Sequence, residues 1–295
     1  MKKRNFYLYA GGILTGTLVL LLLLGCFWTP YDPTAISGSE KFLAPSLQHL
    51  FGTDNFGRDI FSRVLRGGGT TLAIALGTVA IGATAGTILG ALTGYFGGIV
   101  DEVLMRFNDA MTAFPSMLLA LVFVSVLGPG EKNVIFALGI VFIPSYARMA
   151  RGAFAACRDA NYVRSAQLMG AGHGRILLLH ILPNTMPVLL PALTIGFNNA
   201  VLAEASMSYL GIGTTPPNAS LGYMLAESQS YLFSAPWYAL CTGLTIVLLI
   251  LGAGLLGEGS KCPEDLRKSP EGLFRIGWDA AVAACPPKAD GYRCF

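Results

Sequence analysis

Residues 8–28 read LYAGGILTGTLVLLLLLGCFW, twenty-one positions without one Asp, Glu, Lys or Arg. A helix rising 1.5 Å per residue needs about 20 such positions to cross the hydrocarbon of a bilayer. The stretch follows Met1-Lys2-Lys3-Arg4, so a cleaved secretory signal is the rival reading. The apolar run exceeds the ~7–15 residues of a signal core, and no A-x-A-like site follows it. Leu23-Leu24-Gly25-Cys26 faintly resembles a lipoprotein cleavage box, but Leu24 is bulky where a small residue is usual. Leu8–Trp28 is therefore expected to stay as a membrane anchor.

The remainder of the chain agrees with this. Of 295 residues, 53% are hydrophobic and 13% charged, half the ~25% charge of soluble domains. Such a chain cannot coat a water-facing surface, and its apolar content excludes disorder. Glycine, at 36 residues, suits close helix packing in lipid. A net charge of +3 gives no case for nucleic acid. Cys26, Cys157, Cys241, Cys262, Cys285 and Cys294 lie far apart without C-x-x-C, which reads as unlinked thiols.

Five more spans are expected, at about 70–95, 103–127, 134–151, 186–209 and 237–257. The fold class is an all-α integral membrane protein with six transmembrane helices. Alternate connections hold fifteen and five of the twenty Lys and Arg residues. The richer set includes both termini, which places them in the cytoplasm. The chain divides into the N-terminus and first span (1–28), an outer loop (29–69), a five-span core (70–259) and a tail (260–295). The tail holds six basic residues and three of the cysteines. Leu273–Ala284 could form a short helix within it.

Gly82, Gly86, Gly90, Gly94 and Gly98 recur every fourth residue, which makes a ridge without side chains on the second span. The expected consequence is close packing on another helix, in the bundle or across a subunit interface. Pro115, Pro144, Pro187 and Pro191 fall in or beside other spans, where each removes a backbone hydrogen bond and bends its helix. In the outer loop, Ile60, Phe61, Val64 and Leu65 share a helical face with Arg58, Asp59, Ser62, Arg63 and Arg66 mostly elsewhere. That pattern reads as an interfacial helix, or as a contact for an external protein.

The longest cytoplasmic connection is 152–185. Asp159 is placed to cap a helix over Ala160–Met169, with Tyr162, Ala166 and Met169 on one face. Gly170 suits the left-handed position that ends a helix. Arg175–Leu182 reads as a second apolar run stopped by Pro183. Helices this short need a surface to pack on, either the chain's own helix ends or a cytoplasmic partner.

Arg164-Ser165-Ala166, Gly170 and His180-Ile181-Leu182-Pro183-Asn184 together resemble the EAA loop of permease subunits in binding-protein-dependent ABC importers. Arg164 stands at the Glu position, Ser165 at the first Ala and His180 at the Ile position. These forms are usual in the dipeptide, oligopeptide and nickel branch. Further blocks resemble that branch: Leu50-Phe51-Gly52-Thr53-Asp54, Gly57-Arg58-Asp59-Ile60, Arg106 and Asp109 with Phe114-Pro115, and Glu204-Ala205-Ser206 through Tyr209-Leu210-Gly211 to Pro216-Pro217. The resemblance covers about residues 5–259.

The resemblance implies the type I permease fold of ABC importers, a second homologous permease subunit as partner, two ABC ATPase subunits and an extracytoplasmic solute-binding protein. It places the chain in the cytoplasmic membrane, moving peptides, with nickel or a metal chelate as the alternative cargo. The helix near 160–169 would couple to an ATPase through Tyr162, Arg164, Ser165, Ala166, Met169, Gly170, Leu182 and Pro183. Small residues at 165, 166 and 170 would let it approach its groove closely. The chain would bind no cofactor itself, with ATP and Mg²⁺ held by the ATPase partners.

The sequence has no G-x-x-x-x-G-K-[ST], no hydrolase signature and no clustered metal ligands, so no catalytic or metal residues are assigned. Asp109, near the inner end of the third span, and Glu204, towards the outer end of the fifth, are candidates for gating, structure or substrate contact. Arg106 is the expected partner of Asp109. Asn198 and Asn199, near mid-span, are pathway candidates or interhelical hydrogen-bonders. A stand-alone secondary carrier is the rival class, but it would show paired halves and midplane ionisable residues.

Overall fold

The computed structural model describes residues 2–214 and 218–260, with side chains over 7–214 and 218–259. The expected helix at 273–284 and the Pro216-Pro217 pair lie outside the described residues. The described chain is helical. In order come α1 (Lys2–Phe27), α2 (Ile60–Phe96), α3 (Gly98–Thr112), α4 (Ser116–Leu127), α5 (Glu131–Arg158), α6 (Asn161–Leu168) and α7 (His173–Arg175). A π-helical turn (Ile176–Ile181) leads into α8 (Leu182–Tyr209), followed by α9 (Leu221–Gln229) and α10 (Pro236–Ser260). Five helical segments are long and apolar enough to span a bilayer, and counting the bent α3–α4 pair as one makes six.

The glycine ridge of α2 seats α5. A Cβ at Gly86 would come within 2.5 Å of the Tyr146 Cβ and 2.8 Å of the Ile143 carbonyl oxygen. At Gly94 it would meet the Arg151 oxygen at 2.6 Å and the Phe154 Cβ at 2.9 Å. Gly82 and Gly90 approach α5 similarly, so the ridge packs within the bundle. Gly98 does not belong to it. Gly97 and Gly98 sit at φ +65° and +54°, and form the break that starts α3. A smaller set of glycines joins α1 to α10: a Cβ at Gly11 would lie 2.6 Å from the Leu256 nitrogen, and one at Gly259 2.8 Å from the Leu8 Cα. That contact brings the two ends of the described chain to one end of the bundle. Arg158 and α6 sit at the same end, because α5 follows α2 down to Gly94 while α1 meets the other end of α2 at Leu65.

Three expectations need correction. The third span is not one helix, because α3 and α4 meet at 87°. Pro115 has no N–H to give and pushes Phe114 out of the helical region, so the chain turns there. Asn108 is buried in the elbow and donates its amide to the Pro144 carbonyl at 3.2 Å. The 60–65 stretch is no interfacial helix. It forms the first turns of a 37-residue α2, with Ile60, Val64, Leu65 and even Arg63 buried. Pro183 does not stop the run before it. Leu182 N–H bonds the Leu177 oxygen, five residues back, and this wider turn leaves room for the proline ring within one continuous helix. Asn184 donates its side-chain amide to the His180 carbonyl at 2.8 Å, which gives that oxygen a partner beside the proline.

Candidate functional site

The connection between α5 and α8 forms a compact platform. Its short helix α6 starts at Asn161, one residue later than a cap at Asp159 requires. Ala160 is the capping residue and no side chain bonds there. Asp159 instead lies 3.4 Å from Arg158 and 3.9 Å from Arg164, all on the surface. The buried face is Val163 and Ala166, which pack with Phe154, Ile176 and Ile181. Met169, expected on that face, lies beyond the last helical turn and is 82% exposed, and Leu168 is 90% exposed. Ala166 therefore serves the chain's own core, while Arg164, Ser165 and Gly170 remain on the surface. Gly170 adopts φ +78°, as expected of a helix-ending residue, with nothing within 4 Å of a Cβ placed on it.

Other contacts lock the platform to the bundle. Tyr162 is half-buried; burial first, then Cys157 beside it, push its hydroxyl above its ordinary range, so it stays neutral. His173 Nδ1 lies 2.8 Å from the Tyr95 hydroxyl at the end of α2. Leu182 is half-buried and Pro183 exposed at the start of α8. The result is a rigid base presenting the apolar pair Leu168 and Met169, flanked by exposed Arg164 and Arg175.

The intramembrane candidates separate in space. Glu204 is fully buried, and its two oxygens accept from Thr71 (3.0 Å) and Ser208 (2.7 Å), which ties α8 to α2. Asp109 is exposed on α3, and its expected partner Arg106 faces Glu102 instead, at 3.9 Å. Asn198 turns towards Gly254 of α10, while Asn199 opens into a cavity of about 410 Å³. This cavity lies between the start of α4, α5 and α8, and Ser116, Ser145 and Tyr146 also line it. The Tyr146 hydroxyl is buried there without a hydrogen-bond partner.

A helical bundle with a compact platform at one end and a cavity between spans that Ser116, Ser145 and Asn199 help to line suits a permease, and comparison with known families agrees. The model described as "Binding-protein-dependent transport system inner membrane component" matches residues 86–258, more than half of the chain. The chain belongs to this family. The dipeptide transport system permease protein DppC of Alkalihalophilus pseudofirmus is 35% identical over 257 residues, 87% of this chain and 84% of that one. The glutathione transport system permease protein GsiD of Pectobacterium atrosepticum is 37% identical over 261 residues, 87% of each. Among solved structures, a chain of the inward-facing MetNI methionine ABC transporter superposes with a TM-score of 0.55 at 17% identity, covering 77% of this chain and 98% of that one. That likeness establishes the shared fold.

One feature of the permease escaped the sequence reading. At the end of the bundle opposite α6, the loop before α2 is bolted to α9 and α10 by a charge cluster. Asp54 is fully buried, and its Oδ1 accepts the backbone N–H groups of Phe56 (2.8 Å) and Arg58 (2.9 Å). Its Oδ2 accepts from Arg58 Nε (2.7 Å) and Arg63 Nη1 (2.5 Å). Both arginines also reach Glu227, at 2.8 and 2.9 Å, and the Tyr238 hydroxyl donates to the same carboxylate at 2.8 Å. Burial alone would raise the Glu227 carboxyl, but Arg63, the Tyr238 hydrogen bond and Arg58 together hold it below its ordinary value. Two cations and two anions cancel, which lets the cluster sit inside protein. The Gly57-Arg58-Asp59 block lies within it, but its partner Glu227 lies 169 residues beyond Arg58, out of the reach of local spacing.

Proposed function

We propose that the chain is one of two homologous permease subunits of an importer that carries short peptides, driven by ATP hydrolysis in two partner ATPase subunits. The observation that carries this is the pair of relatives named for dipeptide and glutathione transport, each alignable over most of both chains. ATP and Mg²⁺ belong to the ATPases, and this chain contributes no catalytic residue or cofactor. An external solute-binding protein delivers cargo, and both termini lie in the cytoplasm, as the Lys and Arg count argues. Neither relative carries a nickel name. Deleting this subunit should abolish uptake of a labelled dipeptide and leave Ni²⁺ uptake unchanged. Loss of Ni²⁺ uptake with dipeptide uptake intact would reverse the assignment.

Coupling in this reading divides between two sets of residues. Leu168 and Met169 enter the ATPase groove, with Arg164, Ser165 and Gly170 beside them. Tyr162, Ala166, Leu182 and Pro183 hold the platform so that a push on α6 passes into α8 rather than being absorbed. The cavity beside Asn199, Ser145 and Tyr146 lies on the cargo path, with hydroxyl and amide groups suited to peptide bonds. Gly170→Asp adds charge at the platform surface and places a side chain at positive φ, at a cost of roughly 1–2 kcal/mol. No clash accompanies it. The variant is expected to insert normally, to lose most peptide uptake, and to leave ATP hydrolysis no longer stimulated by cargo-loaded binding protein. Wild-type uptake by Gly170→Asp would place coupling elsewhere.

A further inference from the structure

A cavity of about 660 Å³ lies at the end opposite α6, between the end of α1, the first turns of α2 and the start of α5. Its wall is mixed: Thr29 and Asp32, whose Oδ1 accepts from the Thr34 N–H and hydroxyl, lie beside Phe27, Trp28 and Ala73. Arg66 projects into it from α2 and Glu131 from the first residue of α5, with Thr70 on the wall between them. Arg66 Nη1 donates to the Cys26 carbonyl at 2.5 Å, the guanidinium's one hydrogen bond among the described residues. The rest of its fork is left for a ligand. Glu131 is steadied by Asn218, whose amide donates to Oε1 at 3.1 Å. Neither residue takes part in the charge cluster around Asp54.

The rim and the floor of this cavity indicate its depth. Phe27 and Trp28 form part of its lining and are 91% and 70% exposed, as aromatic side chains are at the membrane–water boundary. Below Arg66 an exposed stripe of small and apolar residues descends α2 through Ala73, Leu76, Ala80 and Ile88. From Ala73 to Ile88 is about 22 Å of helix, more than the ~15 Å of one leaflet's hydrocarbon. A protein on the aqueous side would meet the cavity from above and leave this stripe uncovered, and a second permease subunit packed on the stripe would leave Arg66 and Glu131 without counter-charges. An amphiphile fills both.

We propose that the cavity binds the headgroup of an aminophospholipid in the leaflet opposite α6, with phosphate on Arg66 and ammonium on Glu131. A guanidinium fork matches two phosphate oxygens at once, and a fixed carboxylate supplies the counter-charge that a zwitterionic headgroup needs. The acyl chain lies along the α2 stripe. The site depends only on the helices crossing a membrane, and not on the cargo.

The test uses the full chain in nanodiscs made of equal phosphatidylethanolamine and phosphatidylglycerol, then extracted in mild detergent, with retained lipid read by native mass spectrometry. Wild type should keep phosphatidylethanolamine over phosphatidylglycerol by about tenfold, the worth of one charged contact. Arg66→Gln should lower retention of both lipids by a similar factor. Glu131→Gln should bind both equally, which separates loss of the ammonium contact from loss of fold. Glycerophosphoethanolamine, the same headgroup without acyl chains, should fail to displace the bound lipid. Equal retention of the two lipids by wild type, or unchanged retention by Arg66→Gln, would overturn the proposal. So would a photo-crosslinker at Thr70 that captures protein rather than lipid.

Discussion

Replacing Gly90 by leucine should remove the permease from the membrane fraction almost entirely. A Cβ at this position lies 2.5 Å from the Ala147 carbonyl oxygen and 2.6 Å from the Ala150 Cβ. Both belong to the α5 backbone or are fixed directly to it, so no side chain can swing away. Overpacking in a core that relaxes costs about 1–3 kcal/mol, and a site where the helices themselves must move apart lies at or above that range. The separation would spread along the ridge, because Gly82, Gly86 and Gly94 share the same seam. Quantitative immunoblotting of membranes should show at least about a tenfold loss, since 1–2 kcal/mol already changes abundance several-fold. Gly152→Ala is the control: it lies on α5 with nothing within 4 Å of its Cβ, and should accumulate as wild type does. Normal levels of Gly90→Leu would mean that α2 and α5 are not in contact as described.

The second large effect is expected at Arg63. Arg63→Met keeps much of the side-chain volume but strands Asp54 and Glu227, and breaking a buried pair this way costs roughly 3–5 kcal/mol. Thermal unfolding of the purified permease should show a marked drop in midpoint, and Glu227→Gln added to Arg63→Met should recover some of it. Acid supplies an independent reading of the same cluster. Glu227 is held below its ordinary value when folded, so its contribution is complete above the unfolded carboxyl value of about 4.3 and is lost as pH falls through the lower folded value. The midpoint should therefore be insensitive to this group from neutrality to about pH 5, and decline only in stronger acid. A drop near pH 6 would point to another residue.

These two sites also show what the sequence could reveal. The glycine ridge was legible because its four-residue spacing alone defines a bare helical face, and the structure had only to supply the partner. The spans were legible from hydropathy, which reports transfer to lipid and needs no tertiary information. The charge cluster was not. Arg58, Asp59, Arg63 and Arg66 look like a wetted helix face when their neighbours in sequence are the only guide. What buries Arg63 is Asp54 across a tight turn and Glu227 from a distant helix. In the α6 platform the family motif located the element, and of the face given by the spacing Tyr162 and Ala166 pack on the core while Met169 does not. The helix ends at Leu168, which leaves Met169 outside its last turn, and its start at Asn161 leaves Asp159 without a capping role. The bend at Pro115 was legible as a possibility, whereas its 87° size depends on how α3 and α4 pack.

The α1–α10 seam has a consequence for how the permease is made. Of the described helices these two are the first and last to leave the ribosome, separated by about 210 residues, which at ~5–20 residues per second is roughly 10–40 s of translation. Throughout that interval Gly11 and the α1 backbone around it face lipid or an insertion factor, because the helix that will cover them does not yet exist. The bundle closes only when α10 arrives, so any ribosome that stalls before codon 236 leaves an open subunit with its first helix unpaired, a ready substrate for membrane quality control.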